Sequence, residues 1–168
     1  MPEVRLEPWG RGDKPLLDQL VGDPAMMEHL GGPESPEKIA DRQSRYEVPG
    51  SGMFKIVDVA SGQGVGSVGF WDRDWREREV YEVGWSVIPA FQGRGIAAAA
   101  TAQALALARA DGRHGFVHAF PAVDNPASNA ICRKLGFTLL EECRFEYPPG
   151  RWMRCNDWQL DLARIADR

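Results

Sequence analysis

Gly93 and Gly95 flank Arg94, directly before an alanine-rich stretch at residues 96–110 and just after a stretch that ends at Pro89. Glycine takes backbone conformations closed to other residues and puts no side chain between the main chain and an incoming group. The first N–H groups of a helix lack partners inside it, so a helix opening behind such a turn is an anion site. Arg94 adds positive charge there. The turn is not a Walker phosphate loop, because no Gly-Lys-Ser/Thr follows, and Gly-x-Gly-x-x-Gly is incomplete, which excludes a dinucleotide fingerprint. Upstream stands Glu82, a carboxylate that suits general-base work or, equally, a surface charge. Downstream, Asn125 and Ser128 place short polar side chains at a second helix start. His29, His114 and His118 form no ligand motif and no metal site is expected, while Cys132, Cys143 and Cys155 lack CxxC spacing. Reduced thiols in a cytoplasmic protein are expected.

The elements that must hold these residues follow from periodicity. Residues 80–88 alternate, with Tyr81, Val83, Trp85 and Val87 on one face and Glu82, Gly84, Ser86 and Ile88 on the other. Pro89 has no N–H for a ladder, so this strand ends there. The helix behind the glycine turn should stop at Asp111-Gly112. Asn125 reads as an N-cap, Pro126 as a first helical residue and Gly136 as the residue past the end, with Ala127, Ala130, Ile131 and Leu135 as an apolar stripe.

Elsewhere the chain predicts a strand at 4–8, helical spacing at 13–21 and 24–30, and a charged helix from a Ser35 cap to about Tyr46. Strands at 53–59 and 65–71 are joined by Ser61-Gly62-Gln63-Gly64, and 72–79 reads as a solvated charged loop. Further strands are expected at 115–120 and 137–147, with a turn at 148–150. In the last strand Trp158, Leu160 and Leu162 alternate with Asp157, Gln159 and Asp161, a half-buried pattern, before a loose tail at 163–168.

The 168 residues, 43% hydrophobic and 26% charged, suit a single soluble domain with a full core. A net charge of −4 argues against nucleic acid as a partner and mildly favours a cationic one. The opening residues do not read as a signal peptide, and residues 96–110 are too short to span a bilayer, so no membrane role is expected.

Gln92-x-x-Gly95-x-Ala97, set between a Val-x-Pro strand end and a long helix, resembles the acyl-CoA motif of the GCN5-related N-acetyltransferase (GNAT) superfamily. Asn125-x-x-Ser128 and Lys134-x-Gly136-Phe137 resemble its second cofactor segment, in the right order. The resemblance covers nearly the whole chain, and Glu82-x-Gly84-Trp85 is similar to the branch of ribosomal-protein N-terminal acetyltransferases. It implies an α/β (α+β) fold with a mixed, mostly antiparallel sheet of about 6–7 strands flanked by helices and splayed at the acyl-CoA site.

The resemblance also implies acetyl-CoA as co-substrate, with no metal. Its pyrophosphate would lie on the N–H groups of Gly93, Arg94, Gly95, Ile96 and Ala97, beside Gln92. Its pantetheine would lie along Val87 and Ile88, with Asn125 and Ser128 alongside. The Ile88 N–H is expected to steady the oxyanion and Glu82 to act as base on a primary amine, from a protein N-terminus or a small molecule. Many relatives carry tyrosine at the position of Cys132 as general acid; cysteine there leaves CoA to depart as thiolate or to take a proton from water. Alternatives at this level are a silent acyl-CoA sensor or use of another acyl group such as succinyl. A homodimer is also compatible with the resemblance.

Overall fold

The structure, a computed structural model, describes residues 2–146 and 149–165. The expectations for Tyr147, Pro148 and the last three residues lie outside these. Seven strands, β1 (Val4–Pro8), β2 (Met53–Asp58), β3 (Gln63–Trp75), β4 (Arg78–Val87), β5 (Phe116–Ala119), β6 (Thr138–Glu146) and β7 (Trp152–Asp161), form one sheet in the order β1-β2-β3-β4-β5-β7-β6. Helices α1 (Lys14–Gly22), α2 (Pro36–Tyr46), α3 (Ile96–Asp111) and α4 (Pro126–Lys134) flank it. All neighbouring strands run antiparallel except β4 and β5. This is the mixed α+β sheet that the sequence predicts. No described helix is long and apolar enough to cross a membrane.

Packing follows the alternation in β4. Tyr81 and Val83 are buried with Val117 and Ala119 of β5, Leu105 and Ala108 of α3, and Cys132 of α4. Glu82 and its cross-strand neighbour His118 therefore project from the other face. Toward the far edge, Leu16, Leu17 and Leu20 of α1 and Ile39 of α2 join Ile56, Val65 and Val68 in a second cluster. Between β3 and β4 the backbones approach closely at Gly66, where a Cβ would meet the Ser86 carbonyl oxygen at 2.2 Å. Gly66→Ala is expected to cost about 1–3 kcal/mol by overpacking, read as a lower urea midpoint.

Three local expectations are corrected. Residues 72–79 are no loop: β3 runs on to Trp75, and Arg76 and Glu77, with φ of 50° and 65°, make the turn into β4. Two successive left-handed residues match the twist of a tight hairpin, so the charged run extends the sheet. Residues 24–30 form turns rather than a helix. Asp23 starts a turn as a cap would, its side chain accepting from the Ala25 N–H (2.8 Å) and its carbonyl from the Met27 N–H (3.2 Å). The Met27 carbonyl then takes the N–H groups of both Leu30 (3.0 Å) and Gly32 (2.9 Å), which closes the segment instead of propagating it. Such local bonds compete with a helical ladder. Finally, α4 buries Asn129 and Cys132, whereas Ala127 and Ala130 of the expected stripe are exposed. Asn129 donates to the Ala122 and Asn125 carbonyls and accepts from Asn156 and the Trp158 indole, so hydrogen bonds orient this helix.

Candidate active site

Strands β4 and β5 pair only at Tyr81↔Val117 and Glu82↔His118. Strand β4 continues to Val87 without β5, so the sheet opens there. Which backbone groups face the opening is fixed by register. The Ile88 N–H donates to the Val65 carbonyl at 2.9 Å, on the β3 side. Antiparallel pairing alternates, so Val87 and Trp85 turn their N–H groups away from β3, into the opening. The expectation that Ile88 supplies an oxyanion donor is therefore corrected, since that donor is already used. Gln92 confirms the direction of Val87: its side-chain amide donates to the Val87 carbonyl at 2.9 Å.

The opening leads to the glycine turn. Gly93 and Gly95 have φ of 74° and 81°, values that carry a steric penalty for residues with a Cβ. Gly95 is the N-cap of α3, and no side chain caps this end. Ala99 bonds the Gly95 carbonyl (3.1 Å), which leaves the N–H groups of Ile96, Ala97 and Ala98 without a helical acceptor. Arg94 lies over the Phe91 ring at 4.8 Å. On the other side Asn125 caps α4, its side chain accepting from the Ser128 N–H at 3.2 Å. The turn segment at 24–30 touches both sides. The Met26 sulfur accepts from Gln92 (3.5 Å), and His29 pairs with Asp124 (3.2 Å).

On the face opposite α3, charges gather that the sequence reading left apart. Glu82 pairs with Arg73 at 2.6 Å. Burial pushes the Glu82 carboxyl above its ordinary range; Arg73, a hydrogen bond from Trp71 and the charge of His118 pull back only in part. The Arg73 guanidinium lies over Trp75, Phe120 and Phe145, at 5.4, 5.0 and 4.6 Å from the ring centres. Beside Glu82, His118 Nδ1 meets Asp157 at 2.6 Å, with both side chains buried, and the Trp75 indole donates to the other Asp157 oxygen at 2.9 Å. Asp157 thus departs from the half-buried pattern expected of the last strand. Both faces of β7 are covered here, because the β3–β4 hairpin arm folds over it.

Burial works to raise the Asp157 carboxyl, but the hydrogen bonds of His118 and Trp75 outweigh it and hold it below the ordinary value. A depressed carboxyl stabilises the fold above its unfolded pKa, and that contribution is lost as pH falls through the folded pKa. Asp157→Asn is expected to cost about 1.5–3 kcal/mol at neutral pH. The amide keeps one acceptor oxygen but turns a donor toward one of the two partners, the Trp75 indole or His118. In urea titrations the gap to wild type should narrow only below about pH 4, the unfolded carboxylate range.

Cys132 is fully buried and its thiol is pushed up to about 12 by that burial, so it packs against its neighbours. The acidic residues of β6 are solvated: Glu141 pairs with Arg76 and Glu142 with Arg154, in exposed positions. Arg73, His118, Asp157 and Asn129 were missed by sequence reasoning. Their local signals pointed elsewhere: Arg73 stood in a run read as a solvated loop, Asp157 on the strand face opposite Trp158, and Asn129 on a helix between apolar positions.

The parallel pair β4 and β5 thus opens beside the uncapped start of α3, with the partly buried Glu82 carboxylate at its closed end. A profile of the acetyltransferase (GNAT) domain matches residues 3–138, and the chain belongs to that family of acetyltransferases. Among solved structures it is similar to an acetyltransferase (GNAT family) from Bacillus anthracis, at 17% identity over 97% of this chain and 98% of that one, TM-score 0.80. It is similar to a spermidine N-acetyltransferase from Vibrio cholerae, in complex with CoA and spermine, at 18% identity over 95% and 96%, TM-score 0.78. A ribosomal-protein-S5-alanine acetyltransferase from Vibrio fischeri matches at 15% identity over 98% and 94%, TM-score 0.72.

Proposed function

We propose that this chain moves an acetyl group from acetyl-CoA to a primary amine by direct attack in a ternary complex. The observation that carries the reading is the unpaired edge of β4 beyond Glu82, which ends at the uncapped start of α3. An extended pantetheine arm can add to such an edge as a strand would. Val87 and Trp85 supply the N–H groups there, and they also steady the oxyanion of the tetrahedral intermediate. The N–H groups from Gly93 to Ala97, favoured by the helix terminus and by Arg94, take the pyrophosphate. Asn125 and Ser128 line the other side, and Asn125 keeps its capping role.

Glu82 takes the proton of the attacking amine. The amine nitrogen bonds to the acyl carbon, the carbon–sulfur bond breaks, and CoA leaves as thiolate or takes a proton from water. Buried Cys132 gives none. The acceptor is a protein N-terminus or a small amine, and Glu82-x-Gly84-Trp85 with Asn125-x-x-Ser128 favours the N-terminal branch. Calorimetric titration with acetyl-CoA, followed by thiol-release assays on a peptide with a free N-terminus and on spermidine, tests the reading. Micromolar binding and turnover on one of them are expected. A folded protein that binds no acetyl-CoA would overturn it.

A further inference from the structure

The Arg73 guanidinium occupies a box with three aromatic walls, Trp75, Phe120 and Phe145, and the Glu82 carboxylate as its fourth partner. Rings that present their faces and one carboxylate are what an organic cation binds. The present occupant fits incompletely: Arg73 Nε is buried without a hydrogen-bond partner. An orphaned buried donor weakens the hold of the group that carries it. The side chain is 30% exposed, so it has a way out to solvent. An amine that is to lose its proton to Glu82 must also approach that carboxylate, where Arg73 now sits.

We propose that this box is the seat of the protonated acceptor amine, and that Arg73 holds it until an alkylammonium group displaces it. The inference rests on the acetyl-transfer reading and adds the charge state and position of the acceptor. The seated ammonium gives one proton to Glu82, which passes it on to water as the free amine leaves toward the opening between β4 and β5. Glu82 is thus again a carboxylate when the amine attacks and gives up its second proton. Displacement of Arg73 also removes a charge that lowers the proton affinity of Glu82. The seated ammonium brings an equal charge, so this gain in basicity applies only once its proton has passed to Glu82.

The test uses the whole chain without acetyl-CoA, with n-butylammonium chloride as probe and 1-butanol as its neutral isostere. The Arg73 Nε–H resonance, assigned by its loss in Arg73→Lys, should shift saturably with butylammonium and stay still with butanol. Arg73→Ala, which vacates the seat, should bind butylammonium at least tenfold more tightly than wild type. Phe145→Ala should bind it several-fold more weakly. A resonance unmoved by butylammonium overturns the proposal, and it does so on the wild type even where Arg73→Ala fails to fold. Equal affinity in a folded Arg73→Ala overturns it too. Because no acetyl-CoA is present, these outcomes are independent of whether that co-substrate binds.

Discussion

Glu82→Gln is expected to lower kcat/KM for amine acetylation by about 10²–10⁴-fold, the contribution of a positioned general base. Acetyl-CoA affinity should be unchanged, because Glu82 lies at the closed end of the strand opening and the anion site lies past Val87. The pH profile carries the sign. The base works as a carboxylate, and burial raises its pKa, so activity should climb through a limb above the ordinary carboxylate range. Arg73 opposes that rise, by its charge and its hydrogen bond. Arg73→Gln should therefore move the acid limb to higher pH, while a residue of merely structural importance would lower rates evenly at every pH. The limb matters most for lysine-like amines, with a pKa near ~10.4, and less for α-amines near ~8. Glu82→Gln within threefold of wild type at all pH values would remove Glu82 from the chemistry.

Gly95→Trp should weaken acetyl-CoA binding by at least about 100-fold, equivalent to about 2.7 kcal/mol. Two effects combine. Gly95 has φ of 81°, which costs a residue with a Cβ about 1–2 kcal/mol, and an indole beside the uncapped N–H groups of α3 fills the space an anion needs. Gly112→Ala separates the two. It carries the same kind of strain at the other end of α3, with φ of 71° and only ordinary contacts for the new Cβ. It should lower thermal stability yet bind acetyl-CoA as wild type does. Calorimetry on the folded variants reads both. Equal losses in the two would show that helix strain, and not a blocked cradle, controls binding.

What the sequence determined by itself is what short-range physics controls. The Ser35 and Asn125 caps each accept from an N–H three residues on, and Gly95 and Gly112 bound α3 where they were expected. Alternation in β4 separated Glu82 from Tyr81 and Val83, and the motif around Gly95 gave the family. Even at this range the reading failed where local bonds competed. The Met27 carbonyl closed residues 24–30 into turns by taking the N–H groups of Leu30 and Gly32, and the left-handed pair Arg76 and Glu77 kept a charged run in the sheet. Tertiary structure alone decided the rest. Whether Ile88 or Val87 faces the opening depends on the register of β3 against β4, which leaves no mark in either strand. His118 meets Asp157 across 39 residues, and Trp75 meets Asp157 across 82. A polar residue on an alternating strand carries the same local signal whether water or a partner covers it. The pairing of β5 with β7 brings His118 to Asp157, the hairpin arm adds Trp75, and these partners together make burial of the carboxylate tolerable.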